Sequence, residues 1–319
     1  MNNAEKTIPV VFATNNNYAP YLAVALESVI AHKTEQYVYA VYVLYDKLEK
    51  RYLDLFEKQS FENVQIQCVN VSELIDANVF YEKAHFSREM YFRLLIAELF
   101  PQYEKVVYLD CDLILRSDIA ELFQIDIGDN IIGAVNDFID REMYSYCAVE
   151  LKINPEDYFN SGMLVINTKL FNEHCIKQLC TNLLKSMPRL VYPDQDILNM
   201  SCNGKIYYFN SEWNFQWQHE CNQKQFYNAR EKIKIIHYAS NIKPWKYPGQ
   251  PLAIEWWNYA RKTLVYEEIL FYNLTNQKKT FLLINKMKKF IGRVNTASIL
   301  FKEYGLKYAV ERIIAHIKK

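Results

Sequence analysis

Apolar runs alternate with amphipathic stretches from the start of the chain. Ile8–Thr14 (IPVVFAT) is continuous enough for a strand buried on both faces. Tyr18–His32 then sets Leu22, Ala25, Leu26, Val29 and Ile30 at helical spacing, with Asn15, Asn16 and Asn17 as turn and cap residues. Pro20 falls in the first turn, where its missing N–H costs little. Val38–Tyr45 reads as a second strand, Leu48–Gln59 as a second helix and Val64–Val71 as a third strand. This β-α-β-α-β succession predicts an α/β fold with a mainly parallel, doubly wound sheet. Ligands of such sheets bind outside the carboxyl ends of the strands.

The later pattern predicts a helix over Arg88–Phe100, closed by Pro101, and a strand over Ile131–Asn136. Phe159–Asn167 reads as a strand that begins with small polar residues, and Lys169–Lys185 as a helix. A short helix follows at Asp194–Met200, with Pro193 and Asp194 as its start signals, then a strand at Ile233–Tyr238. Pro244 and Trp245 mark a rigid loop.

The central stretch is Lys105–Phe123. Its apolar run Val106–Leu109 ends on two acids one residue apart, Asp110 and Asp112. A buried strand does not tolerate unpaired carboxylates, so the pair belongs at the strand's C-terminal edge. Two hard oxygen ligands there suit a divalent cation bridging to a diphosphate. The bland alternative is a solvated Asp-x-Asp turn. Cys111, between them, is expected to face the opposite way, into packing.

Other polar residues stand where strands run out: Asn15, Asn17, Asp137, Asn160, Asp194, Gln195, His237 and Lys243. A strand-end histidine is often a hydrogen-bonded core residue. Combined with two carboxylates, it favours Mn²⁺ over Mg²⁺. Lys243, six residues on, has the spacing to reach a phosphate as a point charge, or is an ordinary loop lysine. Arg93, read by itself, is a surface ion pair. No G-x-G-x-x-G follows the first strand and the chain holds only 7 glycines, which disfavours a hydride-transfer dinucleotide fold.

Composition narrows the class. Of 319 residues, 50% are hydrophobic, enough for a substantial core. The formal net charge of +0 hides an asymmetry: Lys278–Lys319 holds eleven Lys/Arg against two Glu, a net +9 on an otherwise acidic chain. That distribution argues against nucleic acid as partner. The basic end interleaves Phe281, Leu282, Leu283, Ile284, Phe290, Ile291, Ile299, Leu300, Phe301, Tyr304 and Tyr308, and so predicts cationic amphipathic helices for an anionic membrane surface, or a helical cap. Seven dispersed cysteines without a CxxC pair argue for free thiols in a reducing cytosol. The opening MNNAEKTIPV has no apolar leader and no run approaches a membrane span, so a cytoplasmic protein, peripheral at most on the inner membrane face, is expected.

VFATNNNYAPYL (11–22), YFRL (91–94), VVYLDCDLI (106–114), YFNSGMLVIN (158–167), DQDILN (194–199) and HYASNIKPW (237–245) together resemble, in order, the motifs of glycosyltransferase family 8, the retaining UDP-sugar transferases of the lipopolysaccharide galactosyl/glucosyltransferase type. The resemblance runs from about residue 8 to about residue 260. It implies a GT-A catalytic domain over residues 1–265, a basic segment over 266–319, and Mn²⁺ (or Mg²⁺) held by Asp110, Asp112 and His237. It also implies donor contacts from Ala13, Asn15, Asn17, Tyr18, Arg93, Asp137, Asn160, Asp194, Gln195 and Lys243, with Gln195 and Asp194 nearest the reacting carbon. The implied reaction moves galactose or glucose from a UDP-hexose to a lipid-linked or protein-linked glycan. Two departures stand out: Asn15 replaces the family's usual Asp at the uracil imide, and Ser240 replaces a Gly in the His–Lys loop. Those departures support the alternative of a non-catalytic UDP-sugar-binding or scaffold protein with the same fold.

Overall fold

The computed structural model describes residues 7–76, 78–81, 87–187, 189–216, 229–250 and 252–275. The chain falls into two units, Met1–Tyr266 and Glu267–Lys319, and the elements below belong to the first. In chain order they are β1 (Thr7–Ala13), α1 (Ala19–His32), β2 (Val38–Tyr45), α2 (Lys50–Gln59), β3 (Val64–Asn70), α3 (Ile96–Leu99), β4 (Lys105–Leu109), β5 (Leu113–Leu115), α4 (Ile119–Phe123), β6 (Ile132–Asn136), α5 (Arg141–Tyr146), β7 (Phe159–Asn167), α6 (Thr168–Glu173), α7 (Ile176–Ser186), α8 (Pro193–Ser201), β8 (Ile206–Tyr208), β9 (Ile235–His237) and α9 (Ala253–Ala260).

Seven strands form the main sheet in the order β3-β2-β1-β4-β7-β6-β8. The opening β-α-β-α-β unit is parallel as expected, with Val10 and Val11 of β1 opposite Val107 and Tyr108 of β4. Strand β7 runs antiparallel to both β4 and β6. Central placement accounts for the apolar run before Asp110: Val106, Val107, Tyr108 and Leu109 are all buried. Each such side chain stabilises the fold by about 1.5–3 kcal/mol.

Three expected elements differ from the pattern. Arg88–Leu95 is a 3₁₀ segment and only Ile96–Leu99 is α-helical. Tyr91, Phe92, Arg93, Leu94 and Leu95 are buried consecutively, so this stretch has no solvent face for an amphipathic helix. The helix expected over Lys169–Lys185 breaks at Cys175, whose φ of 53° turns the chain between α6 and α7 so that Phe171 and Ile176 both reach the core. The strand expected over Ile233–Tyr238 is shorter and stays out of the main sheet. Its residues 235–237 pair antiparallel with β5, Leu113 opposite His237.

Among the described residues, six cysteines are free thiols, and no helix is long and apolar enough to cross a membrane. Cys111 is buried as expected, with its Sγ donating to the Ala13 carbonyl at 3.0 Å. The basic stretch from Lys278 lies outside the described residues.

Candidate active site

Three pieces of chain meet where β4 ends. Asp110 and Asp112 leave the sheet in the turn between β4 and β5. Because β9 pairs with β5, His237 is delivered beside them: the Tyr238 N–H donates to the Asp112 carbonyl at 2.9 Å. One ligand atom each from Asp110, Asp112 and His237 lies within 4.8 Å of the others. His237 Nε2 is 3.2 Å from Asp112 Oδ1 and 3.8 Å from Asp110 Oδ2.

The opposite edges of these groups are held by protein. Asp110 Oδ1 accepts from Arg93 Nη2 at 2.9 Å and from the Tyr108 hydroxyl at 2.7 Å, leaving Oδ2 toward the cluster. Asp112 Oδ2 accepts from Lys243 Nζ, which also donates to the Tyr238 carbonyl at 2.6 Å. Two carboxylate oxygens and an imidazole nitrogen therefore face one point, with their other atoms occupied. That donor set fits a divalent cation such as Mn²⁺. Gly162 makes the approach possible: a Cβ there would lie 2.2 Å from His237 Cε1 and 2.7 Å from Asp110 Oδ2.

Arg93 is buried and packs over the Tyr108 ring at 4.5 Å. Besides Asp110, its Nη1 lies 3.3 Å from Asp194 Oδ2 and donates to Ser161 Oγ at 2.7 Å. The structure thus gives Arg93 neither a surface ion pair nor an open face. Burial alone would lower its pKa, but Asp110, Tyr108 and Asp194 more than reverse this and keep it charged. Burial raises the carboxyl of Asp194 above its ordinary range, against the pull of Arg93. For Asp112, burial also acts upward, yet the Lys243 ammonium and then His237 outweigh it and hold the carboxyl well below the usual range.

A second group lies at the start of α8. Pro193 at the first turn lets Asp194 and Gln195 point back at β7. Gln195 Oε1 accepts from the Ser161 N–H at 3.0 Å and from Asn160 Nδ2 at 3.2 Å, while Nε2 donates to Asp137 Oδ2 at 2.8 Å. Both lone pairs of that oxygen are used. Asp137 also accepts from Gln216 Nε2 at 2.9 Å. Asn199 ties α8 to β7 through the N–H and carbonyl of Phe159, both at 2.9 Å. Asp196 anchors the same helix by accepting from the Tyr158 and Tyr146 hydroxyls.

A third group sits at the end of β1. Ala13 is buried there, and Asn15, Asn17 and Tyr18 form the turn into α1, with Asn17 and Tyr18 exposed. Asn15 Oδ1 accepts the N–H groups of Asn17 and Tyr18 at 3.0 and 3.1 Å. Its amide nitrogen donates to Ser87 Oγ and to Glu89 Oε2, at 3.2 and 3.0 Å. That oxygen caps the turn, and the nearby carboxylate comes from Glu89. Trp245 stacks on Tyr21 at 3.8 Å and fastens the Lys243 loop to α1. Ser240 Oγ accepts the Ile242 N–H at 3.0 Å within that loop.

Sequence reading missed Tyr108, Ser161, Gly162, Asn214 and Gln216. An isolated glycine within strand β7 was a usable signal of close approach. A lone asparagine in a loop carries none.

The sequence profile of glycosyl transferase family 8 matches residues 9–249, and this chain belongs to that family. It is a glycosyltransferase of GT-A fold. The galactosyltransferase LgtC, solved with donor and acceptor sugar analogs, is 27% identical, with a TM-score of 0.65 over 81% of this chain and 96% of that one. The WbbM bifunctional glycosyltransferase is 26% identical, with a TM-score of 0.73 over 84% of this chain, which spans about half of it (52%). Among curated relatives, the lipopolysaccharide 1,2-glucosyltransferase of Escherichia coli K12 is 23% identical over 76% of this chain and 74% of its own length.

Proposed function

We propose that this protein is a retaining, Mn²⁺-dependent hexosyltransferase that moves galactose or glucose from a UDP-hexose to a hydroxyl of a glycan acceptor, such as an envelope lipo-oligosaccharide or a protein glycan. The observation that carries the reading is the convergence of Asp110, Asp112 and His237 beside Lys243, with Asp194 and Gln195 reached through Arg93 and Ser161. Three carboxylates (Asp110, Asp112, Asp194) face two fixed cations (Arg93, Lys243), a balance that favours a further cation.

A divalent ion held by Asp110, Asp112 and His237 would offset the charge that grows on the departing diphosphate. The Lys243 ammonium beside Asp112 would supply a second positive charge to the same phosphate. Arg93 holds Asp110 and Asp194 in place. Asp194 and Asp137 are suited to accept from sugar hydroxyls. Gln195 Oε1 already accepts two hydrogen bonds, which argues against a covalent glycosyl–Gln195 adduct. The reading is therefore front-face transfer, with the departing phosphate oxygen taking the acceptor proton and the anomeric configuration retained.

The +9 segment Lys278–Lys319 would bring this chemistry to a lipid-linked acceptor at an anionic membrane surface, each Lys or Arg near it contributing about 1 kcal/mol. The central test is UDP release from a panel of UDP-hexoses, with and without Mn²⁺ and glycan acceptor, followed by NMR of the product's anomeric carbon. Metal-independent release, or an inverted product, would overturn the proposal.

A further inference from the structure

An unbroken line of hydrogen bonds runs from the imidazole at the cation cluster to the Asp137 carboxylate. His237 Nδ1 lies 2.8 Å from Asn214 Oδ1, and Asn214 Nδ2 is 2.9 Å from Asn160 Oδ1. Asn160 Nδ2 is 3.2 Å from Gln195 Oε1, and Gln195 Nε2 is 2.8 Å from Asp137 Oδ2. His237, Asn214, Asn160 and Gln195 are all buried, so solvent does not substitute for any member.

Three amides in a row would be directionless on their own, since oxygen and nitrogen exchange places by a flip. Here groups that cannot flip set the direction. The Gly162 N–H can only donate, and it reaches Asn160 Oδ1 at 3.0 Å. The Ser161 N–H can only donate, and it reaches Gln195 Oε1 at 3.0 Å. At the far end, Asp137 Oδ2 accepts from Gln195 Nε2 while its Oδ1 accepts from Gln216 Nε2. All three anchors require the same orientation. With the Asn160 oxygen toward Gly162, Asn214 must present Nδ2 to it, and therefore Oδ1 to His237.

We propose that Asn214 is the positioning residue of the metal centre: it holds a hydrogen of His237 on Nδ1, so that Nε2 is the ring nitrogen left to a cation beside Asp110 and Asp112. Imidazole side chains free in water prefer the opposite tautomer, whose Nε2–H would block a cation. The same line ties this ligand to Gln195 and Asp137, so one orientation fixes both the imidazole and the Gln195 amide. The inference rests on reading Asp110, Asp112 and His237 as a metal centre.

The test uses the full-length, metal-free protein labelled with ¹⁵N-histidine. Long-range ¹H–¹⁵N correlation separates protonated from bare ring nitrogens, and the His237→Gln spectrum identifies the resonance among the six histidines. We expect a protonated Nδ1 in the wild type, whether or not Nε2, 3.2 Å from Asp112 Oδ1, also carries a hydrogen. A bare Nδ1 overturns the inference without any variant. Asn214→Leu removes the acceptor at similar volume and is expected to shift His237 toward the Nε2–H form and weaken Mn²⁺ binding about 10–100-fold, read by the electron paramagnetic resonance of free Mn²⁺. Asn214→Asp keeps an acceptor for Nδ1–H and should restore both the tautomer and most of the affinity. Equal losses in Leu and Asp variants would reduce Asn214 to a packing role. If Asn214→Leu does not fold, the wild-type spectrum and Asn214→Asp decide. Wild-type protein that binds no Mn²⁺ would overturn the metal centre itself, whichever tautomer it shows.

Discussion

The α-carbon of Gly162 faces the His237 ring so closely that a methyl group on it would come within 2.2 Å of Cε1. The contact is between the middle of β7 and the end of β9, two strands of different sheets. We expect Gly162→Ala to push the imidazole and the Asp110 carboxylate apart and cut Mn²⁺ affinity by about 10–100-fold. Overpacking should cost about 1–3 kcal/mol of stability. Calorimetric Mn²⁺ titration beside a melting curve separates the two effects, and unchanged affinity would show that the ring yields without consequence.

Asp110 and Asp112 should respond differently to truncation. On sequence grounds an unpaired acidic couple would be relieved by losing a charge, but both carboxylates are paired. Asp112→Ala strands the buried Lys243 ammonium, and loss of one partner of a buried pair costs about 3–5 kcal/mol. Asp110→Ala leaves Arg93 with Asp194 and should cost less. Both should abolish transfer. The check is turnover at saturating Mn²⁺ with thermal denaturation of each variant, and equal melting temperatures would contradict the pairing.

The acid side of the stability profile should carry the signature of Asp112. Its carboxyl is held below the ordinary range in the folded protein, so its contribution is complete above the unfolded pKa of about 3.9. It is lost as pH falls from there toward the lower folded value. Asp112→Asn should flatten this part of the curve. Melting temperatures of both proteins between about pH 6 and about pH 3 measure the difference.

Gln195→Ala should lower turnover far more than it weakens UDP binding, because its partners Ser161, Asn160 and Asp137 belong to the proposed sugar side. Comparable losses in turnover and UDP affinity would move Gln195 to the nucleotide side. Gln195→Glu should also be slow, since a carboxylate beside Asp137 forces one of the two to hold a proton.

Removal of Lys278–Lys319 should leave transfer to a soluble acceptor largely intact and reduce co-sedimentation with anionic vesicles. Raising salt from about 0.05 M to about 0.5 M should release the full-length protein, because screening shortens the reach of its charges. A truncated protein that melts early, beside a full-length protein that ignores vesicles, would make the segment part of the fold instead.

Much of the architecture was legible in the chain because burial writes itself locally. The runs at Ile8–Thr14 and Val106–Leu109 are apolar since each lies inside a covered sheet, and Asp110 and Asp112 had to fall at the edge. Family motifs named the polar residues around that edge. What the chain could not state was partnership. The pairing of β9 with β5 places His237 beside Asp112, 125 residues away, and hydrogen-bond direction between strands leaves no local mark. Nor did the sequence show that Arg93 holds Asp110 and Asp194, or that Asn15 uses its oxygen to cap a turn. A side chain's type limits what it can donate or accept; which atom meets it is decided only when distant backbone closes around it.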